Sequence, residues 1–347
     1  MATNGITESV SDILEKVKQS NMTTIIQIAV FFILVPICIY TITQISIQKS
    51  NCSRIDKYKQ ITTQNISTSE TLYNSTLQEV YVKTAHNCCC SGEFKNDYVD
   101  NCALSNCNNQ GARALHFDIY SLNGSPVIST STVVGNKYKE LYNQLDMYDT
   151  MKTIKTKFMN KSDPLFLIFS VNSELTTTYE SMYAILVEIF GTGNTTGNVI
   201  YFTNSIGETK LIDLLNKVVI CVESYAPNVF YASSLALITS LDLNSSTSKV
   251  YRESDILDFY TNSGKANDKI PQFPQVLFTN KQKSSSNYDF VTTGITYGIT
   301  FTGMNFQNKD SLLDIYNKGF ANYSFKKKIA DASDTNGDFN YVTTDFS

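Results

Sequence analysis

The chain has no tryptophan and only two histidines, His86 and His116, in 347 residues. A mechanism needing two imidazoles as acid and base would have to use both, leaving none for a histidine-ligated metal. Carboxylates and cysteines would then fill every other polar role. Charge of either sign is in short excess: 28 Lys and Arg face 32 Asp and Glu, a net charge of -4. There is no basic footprint, so nucleic acid is not an expected partner. From Gln19 to Gln48 charge is missing altogether, and the centre of that run reads TIIQIAVFFILVPICIYTITQISI. At about 1.5 Å per helical residue it is long enough to cross roughly 30 Å of hydrocarbon, and residues 23–48 read as a transmembrane helix. The rival reading is a cleaved signal peptide, but the run is long for one and lacks a small-x-small exit.

The flanks are polar. In residues 1–22, Val10, Ile13, Leu14 and Val17 fall at helical spacing, which fits either an amphipathic partner-binding arm or a frayed terminus. Lys49, Arg54, Lys57 and Lys59 outnumber Lys16 and Lys18, so charge favours a cytosolic C-terminal side. Residues 49–70 are rich in Ser, Thr, Gln and Asn with few large apolar side chains, and read as a polar stalk.

Residues 71–329 carry the folded domain. From Ala112 to Tyr120, Leu115, Phe117 and Ile119 alternate with Ala114, His116, Asp118 and Tyr120, the period of a strand whose polar groups share one face. Leu141 to Phe158 repeats apolar residues at helical spacing, and Pro164 to Val171 is a continuous apolar run like a strand buried on both faces. Leu175 to Phe190 is again helical and stops at Gly191, and Lys217 to Val222 is another buried strand. Such alternation predicts a parallel sheet with helices outside, and a TIM-like (β/α) barrel closes it most economically within about 250 residues. Residues 330–347 read as a polar tail.

Several stretches carry a family resemblance. His86-Asn87, then Gly111-Ala-Arg113-Ala-Leu-His116-Phe-Asp118, then Ser125-Pro126-Val127-Ile128 resemble the N-terminal half of the phosphatidylinositol-specific phospholipase C catalytic domain. Near the other end, Met304-Asn-Phe-Gln307, Asp310, a helix through Leu313, Tyr316 and Phe320, and Ser324 to Lys328 resemble how that domain closes. TAHNCCCSGEFKND, CALSNC and QGARALHFDIYS are more similar still to membrane-anchored, phospholipase-C-like proteins of large nucleocytoplasmic DNA viruses. The resemblance implies a barrel of the PLC-like phosphodiesterase type from about Tyr81 to Lys328.

Position by position it also implies a degenerate site. The first catalytic His matches His86 and the first calcium ligand matches Asn87. The family's Glu-x-Asp pair falls on His116 and Asp118. The second catalytic His falls on Thr130, or on Ser129 with a slip of one, and the later Glu falls near Val171 beside Asn172. No metal and no cofactor are therefore expected, and calcium would enter only if the chain were an active phosphodiesterase using His86 and His116. Arg113, with Lys83 and Lys95, is the candidate for meeting phosphate if the mouth binds a lipid headgroup or glycan.

Cys88, Cys89, Cys90, Cys102 and Cys107 crowd the loop after His86. Disulfides among them, with a leftover thiol free or joined to Cys52, are preferred over free thiols, and over zinc because paired Cys-x-x-Cys knuckles are absent. The resemblance and the anchor together imply a single-pass membrane protein, a pseudoenzyme acting as a minor capsid or membrane-to-shell link of a large virion. Its expected partners are the membrane and other virion proteins. An active phosphodiesterase on phosphoinositides and a non-catalytic headgroup or glycan binder are the alternatives.

Overall fold

A computed structural model describes residues 4–192, 199–245, 248–256, 274–278 and 286–328. The polar tail at 330–347 and the polar connection Asn262–Lys269 lie outside the described residues. The chain divides into two units, Met1–Ser50 and Asn51–Ser347.

The first unit is one helix. α1 runs Asn4–Ile55, continuing through Pro36, and its final turn belongs to the second unit. Its segment from Asn21 onward reaches a mean hydropathy of 2.6 and buries none of that window against protein, so it is long and apolar enough to cross a membrane. Hydroxyls in this segment turn back on their own helix: Thr23 donates to Gln19 O, Thr43 to Ile39 O and Ser46 to Ile42 O. That is how polar side chains are tolerated where no water is available.

The second unit is the (β/α) barrel. After a short helix α2 (Glu70–Asn74) come β1 (Val80–Ala85), α3 (Asn101–Asn109), β2 (Ala114–Leu122), β3 (Ser125–Ser129) and β4 (Leu145–Asp146). There follow α4 (Met147–Phe158), β5 (Leu165–Val171), α5 (Thr176–Phe190), β6 (Ile200–Tyr201), β7 (Val218–Ser224), α6 (Pro227–Tyr231) and β8 (Thr239–Asp242). The chain closes with β9 (Val250–Arg252), β10 (Val276–Phe278), β11 (Phe301–Met304), α7 (Ser311–Gly319) and β12 (Phe325–Lys327). The strands line up as β6-β7-β5-β2-β1-β11-β10-β9, each neighbour parallel, with β8 also parallel to β7. Among the described strands, the pairings of β3 with β2 and β4 and of β12 with β1 are antiparallel. Among the described residues no ladder joins β8 to β9, so the barrel has a seam there.

The period of two sorts the side chains into two cores. Val82, Ala114, Phe166, Ile168, Val219, Cys221, Val276 and Phe301 fill the barrel. Their strand neighbours Leu115, Phe117, Leu167, Phe169 and Ile220 face outward and pack under α4, α5 and α7. The sequence pattern for β2 and β5 thus sits as expected.

The expected stalk at 49–70 is corrected. Ile55 and Ile66 are fully buried, and Ile66 belongs to the interior core. Ile66 N donates to Asp163 Oδ1, Ile61 N to Asn109 O and Gln64 N to Asn322 O. Few apolar residues did not mean none: two isoleucines with satisfied amides are enough to lay a polar stretch onto a domain.

Candidate functional site

The parallel strands carry one row of inward polar residues just beyond the apolar filling, at the C-terminal mouth where barrels build their sites. His86 and Asn87 follow β1 directly, β2 contributes His116 and Asp118, β5 Ser170 with Asn172 just beyond it, β7 Glu223 and β9 Arg252, and Asn305 follows β11. Thr130 follows β3. The sequence-derived residues His86, Asn87, His116, Asp118 and Thr130 are therefore brought together, and all of them are buried.

The hydrogen bonds fix the protons. Asn87 N donates to His116 Nδ1 at 3.2 Å, so that nitrogen carries the lone pair and Nε2 the proton. His116 Nε2 lies 2.9 Å from Ser170 Oγ, whose own hydroxyl donates to Glu223 Oε2 at 2.5 Å. Arg252 Nη2 donates to both Glu223 oxygens, at 3.3 and 3.4 Å. The chain from the Asn87 amide to the Arg252 guanidinium engages both nitrogens of His116, and Asp118 Oδ1 lies 3.8 Å from Nε2.

His86 is held by a second set. Asn305 Nδ2 donates to Ser286 O, which turns Asn305 Oδ1 toward His86 Nδ1 at 2.9 Å. The ring stacks on His116 with centroids 4.9 Å apart and on Phe278 at 4.7 Å, and Phe94 stands edge-on at 5.6 Å. Gly303 makes the fit possible: a Cβ there would sit 2.6 Å from the Phe278 ring and 3.2 Å from His86 Cβ. Ring faces in contact are already about 3.5–4 Å apart, so no phosphodiester fits between these imidazoles.

Phe94 belongs to the loop Cys88–Asp100, which covers His86 at the mouth. Phe94 is fully buried. The loop is held to the barrel by Gln307 Nε2 donating to Gly92 O. On its other side Asn143 accepts from Val99 N and donates to Val99 O, and Lys95 pairs with Glu140 at 2.9 Å. The space between Asn87, His116, Asp118, Val99 and Ile128 has no room for a water molecule.

The donor set does not suit calcium. Thr130 Oγ1 accepts from Asn87 Nδ2 and donates to Asp118 Oδ2, both at 3.0 Å. Among the described residues, the family's Glu position holds an imidazole, the Asp118 carboxylate is engaged by Thr130, and the Glu223 carboxylate is taken by Ser170 and Arg252, which leaves too few free oxygens for a hard cation that needs six or more.

Three expectations are corrected. Arg113 is not available to phosphate. It is fully buried at the start of β2 and donates to the carbonyls of Phe158, Pro164 and Asp163, while burial pushes its pKa down to about 10. Lys83 is equally buried, and Lys95 is paired with Glu140. The crowded cysteines do not staple their own loop. Cys102 bonds Cys52 in the last turn of α1, and Cys88, Cys89, Cys90 and Cys107 are buried free thiols. Cys88 Sγ donates to His116 O and Cys90 Sγ to Gly92 O, and burial pushes the thiols of Cys88, Cys90 and Cys107 up, as for small core residues with a weak donor.

Sequence reasoning missed Ser170, Glu223, Arg252, Asn305 and the plug residue Phe94. Glu223 had a signal, since it extends the apolar run of β7 by one inward position. It lies one strand over from the position expected near Val171, where Ser170 is in register with Glu223.

No family model and no curated protein matches the sequence. Among solved structures, L. pealei PLC21 aligns with a TM-score of 0.59 and 14% identity over 74% of this chain and 38% of that one. S. officinalis PLC21 gives the same score and identity over 74% and 37%. A calcium-dependent phosphoinositol-specific phospholipase C from Pseudomonas sp. aligns over 75% of this chain with a TM-score of 0.44. The chain thus spans about 38% of the length of the first of these, and the likeness is one of fold, a PLC-like barrel.

Proposed function

We propose that this chain is a membrane-anchored PLC-like barrel without phosphodiester-cleaving chemistry, serving as a structural link between a membrane and an overlying protein shell. The sequence likeness to anchored proteins of large nucleocytoplasmic DNA viruses makes a minor capsid role, at the inner membrane of a virion and in contact with other virion proteins, the specific form of this reading. The observation that carries it is the closed mouth. His116 has both nitrogens engaged, Thr130 stands at the second imidazole position, and Phe94 caps His86. Acid/base cleavage needs two groups that change protonation on either side of the phosphorus, and a threonine hydroxyl at the second position does not supply one. The apolar length of α1 supports the anchor.

The side-by-side placement of both histidines is the one observation that favours the enzymatic reading. Inositol phosphate release from phosphatidylinositol vesicles separates the two. The structural reading expects no release above background and no difference between the native chain and His86→Ala. It also expects abundance comparable to other shell components when purified particles are quantified by mass spectrometry. Release that His86→Ala abolishes, with only trace abundance, would sink it.

A further inference from the structure

The plug is built around one carboxylate, and the end of α1 reaches into it. Asp97 Oδ2 accepts from Glu93 N at 2.9 Å, and Oδ1 accepts from Tyr98 N at 2.9 Å and from Asn51 Nδ2 at 2.7 Å. Gly92 lies underneath: a Cβ there would stand 2.0 Å from Asp97 Oδ2 and 2.7 Å from Asn51 Nδ2. Three residues further along α1, Arg54 Nη2 donates to Ser91 O at 3.3 Å. Between these two contacts sits Cys52, bonded to Cys102 just beyond the plug. So two side chains of one helical turn hold the plug, and a covalent bond in the same turn fixes their register.

This bond also differs from the other described cysteines of the barrel. Cys52 and Cys102 are half-buried, whereas Cys88, Cys89, Cys90, Cys107 and Cys221 are fully enclosed. A small thiol meets the disulfide and not the free cysteines.

We propose that Cys52–Cys102 is a thiol-sensitive latch on the mouth: reducing it frees the last turn of α1 from the plug and exposes His86 and His116 to solvent. A thiolate of a small thiol attacks one sulfur, the protein S–S bond breaks and a mixed disulfide forms. A second thiol then releases it, leaving two cysteine thiols and one oxidised thiol dimer. Without the bond, Asn51 and Arg54 hold Asp97 and Ser91 by two hydrogen bonds on half-exposed side chains, which local opening breaks readily. The remaining anchors are Gln307 to Gly92, Asn143 to Val99, Lys95 to Glu140, and the backbone bonds from Asn96 N to Glu140 O and from Tyr142 N to Asp97 O, so the loop hinges about residues 95–99 rather than detaching. The proposal rests on the closed mouth described above and not on the absence of chemistry within it.

Having only two histidines gives a clean readout. The full chain in detergent micelles is treated with diethyl pyrocarbonate, with and without prior reduction by dithiothreitol, and acylation of His86 and His116 is followed by mass spectrometry. Reduction should raise the rate at both by roughly tenfold or more while the cooperative thermal transition of the barrel persists. Cys52→Ser should react fast with or without reductant, and Asn51→Ala in the oxidised protein should fall between. Equal rates in oxidised and reduced protein would overturn the latch, as would exposure that appears only with loss of the thermal transition. Inositol phosphate release in the same samples keeps the two readings apart. Exposure without release supports both, and release on reduction refutes the non-catalytic reading while leaving the latch in place.

Discussion

Lys83 is the most exposed to argument at the scale of single residues, because it is the least exposed to water. Its ammonium is buried on the outward face of β1 beside Arg113 on β2 and has no hydrogen-bond partner among the described residues. Burial, helped by the charge of Lys161, pushes its pKa from 10.5 down to about 7, and burial does the same to Lys328. A lysine whose pKa is lowered on folding is protonated in the unfolded chain and neutral in the folded one between about pH 7 and 10.5. Across that window the unfolded state binds more protons, so stability rises with pH, by up to about 1.4 kcal/mol per pH unit for each lysine. Below pH 7 both states are protonated and the full penalty remains. Lys83→Met keeps the length, removes the charge, and should raise the urea midpoint at pH 7 by an amount worth about 1–3 kcal/mol while flattening the rise toward pH 9. A lower midpoint at pH 7 would show that Lys83 has a counter-charge after all. Ser170 makes the opposite case, a small residue that is fully used. Ser170→Ala strips Glu223 of a donor and His116 of an acceptor at once, and should cost about 1–3 kcal/mol in thermal or urea unfolding. A neutral result would mean the Asn87-to-Arg252 chain is not a connected unit.

At the scale of elements, the plug and the strands were unequally legible. The strands announce themselves by period: Leu115, Phe117 and Ile119 against His116 and Asp118 fix both the element and the face that looks inward. The likeness to the phospholipase C pattern then places His86, Asn87, Asp118 and Thr130 at one mouth, and they are there. What periodicity cannot carry is contact between loops distant in sequence. Nothing local to GEFKND says that Phe94 will cap a histidine, and although Cys52 is one expected partner for the cluster, nothing in NCSR says that it will find Cys102 rather than another of the five. Arg113 was misread for the same reason, since a guanidinium before a strand looks free until the carbonyls of the α4–β5 turn are seen around it. Phe94 gives this scale its test. Phe94→Ala removes a fully buried ring and should destabilise the barrel by about 3–5 kcal/mol. It should also speed acylation of His86 in the oxidised protein. Loss of stability with no change at His86 would mean the loop closes over the mouth without that side chain.

For the whole molecule the question is where the barrel begins. Composition puts the boundary after residue 70, whereas contacts put it after Ser50. The difference is the stretch that carries Cys52, Ile55 and Ile66, and its energetic weight can be set down. A disulfide closing a loop of about fifty residues contributes about 4 kcal/mol by restricting the unfolded chain. Each buried isoleucine adds roughly 1.5–3 kcal/mol of apolar transfer. Against a net stability of about 5–15 kcal/mol, that is most of what a domain has to spare. A chain beginning at Asn51 should therefore stay in solution without detergent and unfold cooperatively, with dithiothreitol lowering its midpoint. A chain beginning at Glu70 should be marginal or unfolded under the same conditions, as read by circular dichroism and urea titration. If the two melt alike, residues 51–69 are an appendage, and the polar composition of that stretch described it better than its contacts do. Only the full chain should co-sediment with phosphatidylcholine vesicles after an alkaline wash, because α1 up to Ser50 holds the apolar length that crosses a bilayer and the barrel buries its own apolar residues.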